Sequence, residues 1–227
     1  MTPTRRHFLA STVALAALAA CATPQLGGSS SRKPNIVLIL ADDLGYGDLG
    51  SYGARAIRTP NLDRMAAEGA RLTTFYASAS VCTPSRAGLL TGRYPIRTGL
   101  AKDVIRQTDM HGLPLSEITI AEALKPDYAT ALVGKWHLGH VDPFWPPTQQ
   151  GFDLFFGLPY SHDMKPLSLY TKEPGVELTS EDPAMDKLTD RFFQRGLRFI
   201  DENRDRPFFL MLALTAPHVP LDPHPDH

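Results

Sequence analysis

The sequence is poor in cysteine: of 227 residues only Cys21 and Cys82 are cysteines, and they lie in unrelated surroundings. Because Cys21 falls in a leader-like stretch, we do not expect a structural disulfide between the two. An excess of charge of one sign is absent too, since 23 basic residues face 24 acidic ones and the net charge is -1. With no basic stripe along the chain, nucleic acid is not an expected partner.

Long hydrophobic runs and internal repeats are also missing. The longest small apolar stretch covers residues 11–20, which is too short to anchor the chain as a stable membrane span. A hydrophobic content of 43% nevertheless suits one domain with a sizeable core. The 20 prolines predict that much of this domain is loop.

The N-terminal leader is a candidate targeting segment. Residues 4–9, TRRHFL, are similar to a twin-arginine export signal, and residues 18–21, LAAC, are similar to a bacterial lipobox. We therefore expect an export signal over residues 1–21 and a flexible, Gly- and Ser-rich tether over residues 22–33. The expected location is the periplasm, with Cys21 as the site of a membrane-anchoring lipid. The alternative is a plain signal-peptidase site at which Cys21 is incidental.

Apolar runs alternate with helical patterns along the rest of the chain. Residues 35–40 predict a strand buried on both faces, residues 71–76 a second strand, and residues 129–133 and 208–214 two more. Helices are predicted over residues 59–69, 118–124 and 186–203, whereas residues 142–183 are interpreted as a long surface excursion. This order favours an α/β fold with a mixed, largely parallel sheet flanked by helices.

Two adjacent carboxylates, Asp42 and Asp43, follow the first predicted strand. In open α/β sheets ligands lie beyond the carboxyl ends of strands. Neighbouring carboxylates repel each other unless a cation neutralises them, and their hard oxygens suit Ca²⁺ or Mg²⁺. The alternative is a loop in which aspartate only stabilises a turn.

Residues 81–93, VCTPSRAGLLTGR, predict a helix with Cys82 at its N-terminus, capped by Thr83 and ended by Gly92. Backbone N–H groups and the helix dipole favour anions at this end, and Arg86 lies one turn further on. A nucleophile beside an anion site is what transfer of a sulfuryl or phosphoryl group requires. The alternative is a buried cysteine before an ordinary helix.

Two further segments carry candidate site residues. Residues 134–140, GKWHLGH, bring Lys135 and His137 to the end of a strand, where such a pair can hold an oxyanion and move a proton. Residues 216–220, APHVP, place His218 directly after another strand. For each of the three, the alternative is a bystander side chain on the surface or in the core.

Together with residues 40–53, LADDLGYGDLGSYG, these motifs resemble those of the type I sulfatase family. The resemblance implies an alkaline-phosphatase-like fold. It also implies that Cys82 is oxidised to formylglycine, whose hydrated aldehyde is the nucleophile. In the family the two aspartates bind the metal together with this modified residue, so Asp42, Asp43 and Cys82 are the expected ligands of Ca²⁺ or Mg²⁺.

The same resemblance assigns roles to the basic side chains. Arg86 and Lys135 are expected to neutralise the sulfate oxygens, His137 to support the nucleophile and His218 to act near the leaving group. The expected reaction is hydrolysis of an aryl or carbohydrate sulfate, and the formylglycine-generating machinery is an expected partner. Two alternatives remain: a phosphonate or phosphate ester hydrolase of the same superfamily, and a decayed, non-catalytic protein that binds sulfated glycans.

The family pattern is incomplete in this sequence. Sulfatases complete the metal site with a downstream Asp-Asn pair and add a further lysine, and no segment after His218 supplies them. We therefore expect residues 34–227 to be the N-terminal part of a sulfatase catalytic domain with the C-terminal part missing. A fragment of a longer protein is favoured over a truncated gene, because a truncated sheet would expose apolar surface.

Overall fold

A computed structural model describes residues 33–226. The predicted export signal, the candidate lipid site at Cys21 and all of the predicted tether except its last residue lie outside this range. Within the described residues, no helix combines the length and the apolar character needed to cross a membrane.

The centre of the structure is a six-stranded sheet. In spatial order its strands are β1 (Ile36–Leu40), β6 (Phe208–Ala213), β2 (Ala129–Lys135), β3 (Leu154–Leu158), β4 (Leu169–Lys172) and β5 (Thr179–Glu181). The first four are parallel, and β4 and β5 continue the sheet in antiparallel pairing. The predicted mixed, largely parallel sheet is therefore confirmed.

Among residues 33–226, four α-helices accompany the sheet: α1 (Pro60–Glu68), α2 (Cys82–Thr91), α3 (Ile120–Leu124) and α4 (Leu188–Glu202). The α3 helix begins with a reciprocal cap in which Thr119 Oγ1 accepts from the Glu122 N–H and the Glu122 carboxylate accepts from the Thr119 N–H. The α2 helix ends where Gly92 adopts a left-handed conformation with φ 64°. The ends of α1, α3 and α4 lie within two residues of the predicted ends. The α2 helix begins at Cys82, so the prediction that Thr83 caps it is wrong.

The two faces of the sheet bury separate parts of the core. Along β6, successive side chains alternate between faces, as the period of two in a strand requires. Phe209, Met211 and Ala213 pack in the cluster that contains α2, whereas Phe208, Leu210 and Leu212 pack in the cluster that contains α4. Full burial of one such side chain stabilises the fold by about 1.5–3 kcal/mol.

The prediction that the first strand is buried on both faces is wrong. Within the described residues β1 pairs only with β6, and its burial alternates along the strand. Val37 and Ile39 are 47% and 50% exposed. A continuous apolar run shows that a strand can be buried on both sides, but the neighbouring elements decide whether it is.

Two other predictions are wrong for related reasons. Residues 71–76 form no strand, because no other described segment pairs with them. The interpretation of residues 142–183 as a surface excursion is also wrong, since this segment contains β3, β4 and β5. Every residue of β3 is buried beside β2.

Candidate active site

Cys82 is the first residue of α2, so it lies at the N-terminus of a ten-residue helix. The preceding residue, Val81, is extended and offers no side-chain cap. Thr83 does not cap the helix as predicted, because its hydroxyl donates to the His137 carbonyl at 2.9 Å and accepts from the Ile105 N–H at 3.0 Å. Thr83 thus ties the start of α2 to two neighbouring loops.

Asp42 follows β1 by two residues and is buried between two cations. Arg86 Nη2 donates to its Oδ1 at 3.0 Å, and Lys135 Nζ donates to its Oδ2 at 2.6 Å. Burial raises the pKa of this carboxyl group, but the charges and hydrogen bonds of Arg86 and Lys135 outweigh burial and hold the pKa below its usual value. Asp42 is therefore a carboxylate at neutral pH.

The thiol of Cys82 lies beside this ion cluster. Its Sγ is 3.3 Å from Lys135 Nζ and 3.8 Å from Asp42 Oδ1. In a matured protein the formylglycine oxygens would occupy the place of this sulfur. The cleft in front of it has a volume of about 620 Å³ and is lined by both predicted metal-binding aspartates and by Arg86. The nucleophile position thus faces a space that a substrate can enter.

Close packing of β2 against β6 brings Lys135 to this position. Gly134 has φ 119°, and a Cβ there would overlap the carbonyl of Ala213 on β6. Only glycine permits this close approach, so β2 stays paired with β6 as far as Gly134, the residue directly before Lys135. The Lys135 side chain is fully buried, and its ammonium group is directed to Asp42, Cys82 and Ser161.

His137 lies two residues beyond β2 and is buried, with φ 60°. Its ring faces Ile105, because Nε2 donates to the Ile105 carbonyl at 3.0 Å, and no hydrogen bond to Cys82 is present. Burial, together with the charges of Lys135 and Arg86, lowers the pKa of His137 to about 3. The imidazole is therefore neutral near pH 7, and its buried Nδ1 has no partner among the described residues.

Asp43 and His218 lie on the more open side of the site. Asp43 is in a left-handed conformation with φ 65°, and its Oδ2 is 3.7 Å from His218 Nε2. The His218 ring also lies within reach of Asp42 and Cys82, since one ligand atom from each of these three residues falls within 4.8 Å of the others. The structure thus brings together Asp42, Cys82 and His218, whereas Asp43 is outside this group and contacts His218.

These residues fit a divalent cation. The site contains two aspartates and the oxygen-bearing residue that would replace Cys82, and hard cations prefer oxygen ligands. Both oxygens of Asp42 are satisfied by Arg86 and Lys135, so the carboxylate is held in place by charge before a metal binds. A cation would add its charge to those of these two side chains.

Ser161 is a site residue that the sequence analysis missed. It is buried three residues after β3, and its Oγ accepts from Lys135 Nζ at 3.1 Å. Recognising β3 as a parallel strand beside β2 would have revealed Ser161. The ends of neighbouring parallel strands share one edge of the sheet, so residues that follow β3 lie near those that follow β2. Interpreting residues 142–183 as a surface excursion concealed that strand.

A largely parallel sheet with a cysteine-headed helix and a buried Asp-Lys-Arg cluster at its carboxyl edge defines a class of α/β proteins that bind an anion beside a nucleophile. The comparisons narrow this class. Residues 34–227 match the family model described as Sulfatase, and the chain belongs to the sulfatase family, whose members generally use a formylglycine and a divalent metal.

Individual relatives agree with this assignment. The chain is 44% identical to human arylsulfatase A over 220 residues, which are 86% of this chain and 43% of that protein. It resembles the crystal structure of the PsFucS1 sulfatase from Pseudoalteromonas sp. with TM-score 0.78 and 29% identity, covering 99% of this chain and 50% of the other. The structure of BT4656 in complex with its substrate D-glucosamine-2-N,6-O-disulfate matches with TM-score 0.69 and 30% identity over 86% and 37% of the two chains.

Two conclusions follow from these comparisons. The fold is the alkaline-phosphatase-like fold of sulfatases, as the sequence predicted. The chain spans about two fifths of the length of arylsulfatase A, and its match corresponds to the N-terminal part of a sulfatase.

Proposed function

We propose that the protein hydrolyses sulfate esters, with the nucleophile generated from Cys82. The observation that carries this proposal is the position of Cys82 Sγ at a helix N-terminus, 3.3 Å from Lys135 Nζ and beside the buried Asp42–Arg86 pair. Membership of the sulfatase family supports it. A sulfate ester is an anion, and this site surrounds its nucleophile with positive charge and N–H groups.

The basic side chains have separate tasks in this reaction. Lys135 and Arg86 are fixed by Asp42, so their charges meet the sulfuryl oxygens without reorganisation as negative charge develops there. His137 is neutral and buried, and it holds the loop at Ile105 against the start of α2. His218 lies on the open side, where it donates a proton to the ester oxygen as the oxygen–sulfur bond breaks and the alcohol leaves.

Two groups complete the chemistry. Formylglycine at position 82 would supply a hydrated aldehyde, one hydroxyl of which would bond to sulfur as the alcohol leaves. The second hydroxyl would then lose its proton, so that the carbon–oxygen bond to the sulfate breaks, the aldehyde reforms and sulfate departs. A divalent cation held at this site would supply positive charge that favours ionisation of the nucleophile. We propose Ca²⁺, with Mg²⁺ as the alternative, held by Asp42, Asp43 and the residue derived from Cys82. Because these cations prefer oxygen ligands, His218 is assigned to the leaving group rather than to the metal.

The proposed substrate is a sulfated glycan or a small aryl sulfate. The substrate bound in the structure of BT4656, a disulfated glucosamine, supports the carbohydrate class. The formylglycine-generating machinery is the proposed maturation partner, because an unmodified thiol lacks the second hydroxyl.

We also propose export to the periplasm with a lipid at Cys21, which labelling with a radioactive fatty acid would test against a Cys21→Ala variant.

The decisive experiment is performed on the protein expressed from its complete gene in cells that contain the maturation machinery. Mass spectrometry of the peptide carrying position 82 should show formylglycine, and sulfate release from 4-nitrophenyl sulfate should be lost in Cys82→Ala. A mature wild-type protein that cleaves aryl phosphate or phosphonate faster than aryl sulfate would contradict the proposal. An unmodified thiol in those cells, with no turnover, would favour the non-catalytic glycan-binding alternative.

A further inference from the structure

His162 is a buried histidine that none of the sequence motifs singled out. It follows Ser161 in the loop after β3, and its side chain is almost fully buried. Its ring lies edge-to-face on the ring of His218, with centroids 5.4 Å apart and an interplanar angle of 75°. The candidate proton donor therefore rests on a second imidazole.

A second contact joins His162 to the turn that carries His218. Its Nε2 lies 2.9 Å from the carbonyl oxygen of Pro220. Because a carbonyl oxygen only accepts, this nitrogen carries the proton and donates it. The remaining nitrogen, Nδ1, is buried and has no partner among the described residues. One ring thus contacts both the side chain of His218 and the backbone two residues later.

The other end of the same turn is fixed independently. The Asp42 N–H donates to the carbonyl of Ala216 at 3.1 Å, and the His218 N–H donates to the carbonyl of Thr215 at 3.1 Å. The backbone before His218 is therefore tied to the buried aspartate, whereas the backbone after it depends on His162. Removing His162 would leave the His218 ring held by its own Nδ1–H bond to the Val219 carbonyl at 2.6 Å and by the more distant Asp43 carboxylate.

The loop that carries His162 is itself attached to the sulfate side of the site. Ser161 Oγ accepts from Lys135 Nζ at 3.1 Å, so adjacent residues of one loop contact the side chain assigned to the sulfuryl oxygens and the side chain assigned to the leaving alcohol. This arrangement links the position of the Lys135 ammonium group to the position of the His218 ring.

We propose that His162 is a positioning residue that holds the His218 ring toward the leaving-group oxygen. The inference rests on the proposed function, since it assumes that His218 donates a proton to the departing alcohol. A misplaced proton donor costs little when the leaving group is a good one and much when it is a poor one. His162 is therefore expected to matter most for esters of weakly acidic alcohols.

The test compares two substrates in the mature, full-length protein. We expect His162→Ala to lower kcat/KM for phenyl sulfate about tenfold more than kcat/KM for 4-nitrophenyl sulfate, whose leaving group needs no proton. His162→Phe keeps a ring but removes the donor to Pro220, and His162→Gln keeps a donor but removes the ring. Both should show the same selective loss to a smaller extent, so the proposal stays testable if the alanine variant does not fold.

His140 supplies the matched control. Its Nε2 bonds the carbonyl of Gln107 at 3.0 Å and its ring packs edge-to-face on Tyr160, so it has the same kinds of contact as His162. We expect His140→Phe to change the rates of the two substrates by the same factor. In a His218→Ala background, the added His162→Ala change should cause no further selective loss, because the proton donor is already gone.

The outcomes distinguish failure of the positioning role of His162 from failure of the proposed function. An equal loss on both substrates in folded His162 variants would overturn the positioning role while leaving the proposed function intact. A selective loss that persists without His218 would do the same. A mature wild-type protein that releases sulfate from neither substrate would overturn the proposed function and this inference together.

Discussion

Lys135 Nζ lies 2.6 Å from Asp42 Oδ2, and both side chains are buried. The two residues are 93 positions apart in the sequence and lie at the carboxyl ends of β2 and β1, which are separated by β6. Because Arg86 bonds the other oxygen of Asp42, one carboxylate orients both cations assigned to the sulfuryl group. Asp42 therefore holds the Lys135 and Arg86 side chains in position before substrate binds.

Removing Lys135 should damage both stability and activity. Lys135→Met leaves part of the Asp42 charge uncompensated in the interior, so we expect the free energy of unfolding to fall by about 3 kcal/mol and turnover by at least about a hundredfold. Urea unfolding and sulfate release measure the two effects. Lys125→Met is the control, because the Lys125–Asp153 pair is partly exposed and should contribute less than about 1 kcal/mol. Similar losses in both variants would contradict the role of burial.

Thr83 should be a structural link rather than a cap. Its buried hydroxyl joins the His137 carbonyl to the Ile105 N–H, so Thr83→Val leaves two backbone groups unsatisfied. We expect a loss of about 1–3 kcal/mol in the free energy of unfolding, and Thr83→Ser should restore most of it. Chemical denaturation of the three proteins would measure this, and an unchanged stability of Thr83→Val would show that the link contributes nothing.

The lowered pKa of His137 predicts acid sensitivity. In the unfolded chain this histidine has a pKa near 6.5, whereas in the folded protein the pKa is about 3. The unfolded state therefore binds a proton first, so the contribution of His137 to stability is complete above pH 6.5 and is lost as the pH falls toward 3. Within this window the loss is about 1.4 kcal/mol per pH unit.

A matched variant isolates this contribution. His137→Gln can still donate to the Ile105 carbonyl but does not titrate. Urea unfolding of both proteins at several pH values between 6.5 and 4 should give a steeper decline for the wild type. Parallel declines would mean that His137 does not stay neutral in the folded state.

Divalent cations should stabilise the protein through the aspartates that follow β1. At a Ca²⁺ concentration of a hundred times Kd, the free energy of unfolding should rise by about 3 kcal/mol. Asp42→Asn should abolish this increase, as measured by thermal unfolding with Ca²⁺, with Mg²⁺ and with EDTA. Asp48→Asn is the control: Asp48 lies in the same loop, but its carboxylate accepts from the Gly45 N–H and is outside the group formed by Asp42, Cys82 and His218. Equal Ca²⁺ responses in the wild type and Asp42→Asn would contradict the predicted site.

The successful predictions concern segments whose local pattern and tertiary role agree. The cysteine-headed helix ends at Gly92, as predicted, and β2 and β6 carry the predicted apolar runs. Residues 71–76 were also predicted as a strand, but no other described segment pairs with them, and a strand needs a partner for its backbone groups. The local pattern does not contain this information.

The sequence by itself determined the family, the nucleophile candidate and the residue types of the site. This was possible because Cys82, Arg86, Lys135 and the aspartates lie in short motifs that indicate their chemistry before the fold is known. Only the tertiary structure decided which of them meet. Parallel strand ends brought Asp42 and Lys135 together, the neutral ring of His137 was directed to Ile105, and β3 carried Ser161 and His162 into the site. These contacts depend on strand order and on burial, and both are properties of the packed chain rather than of any segment of it.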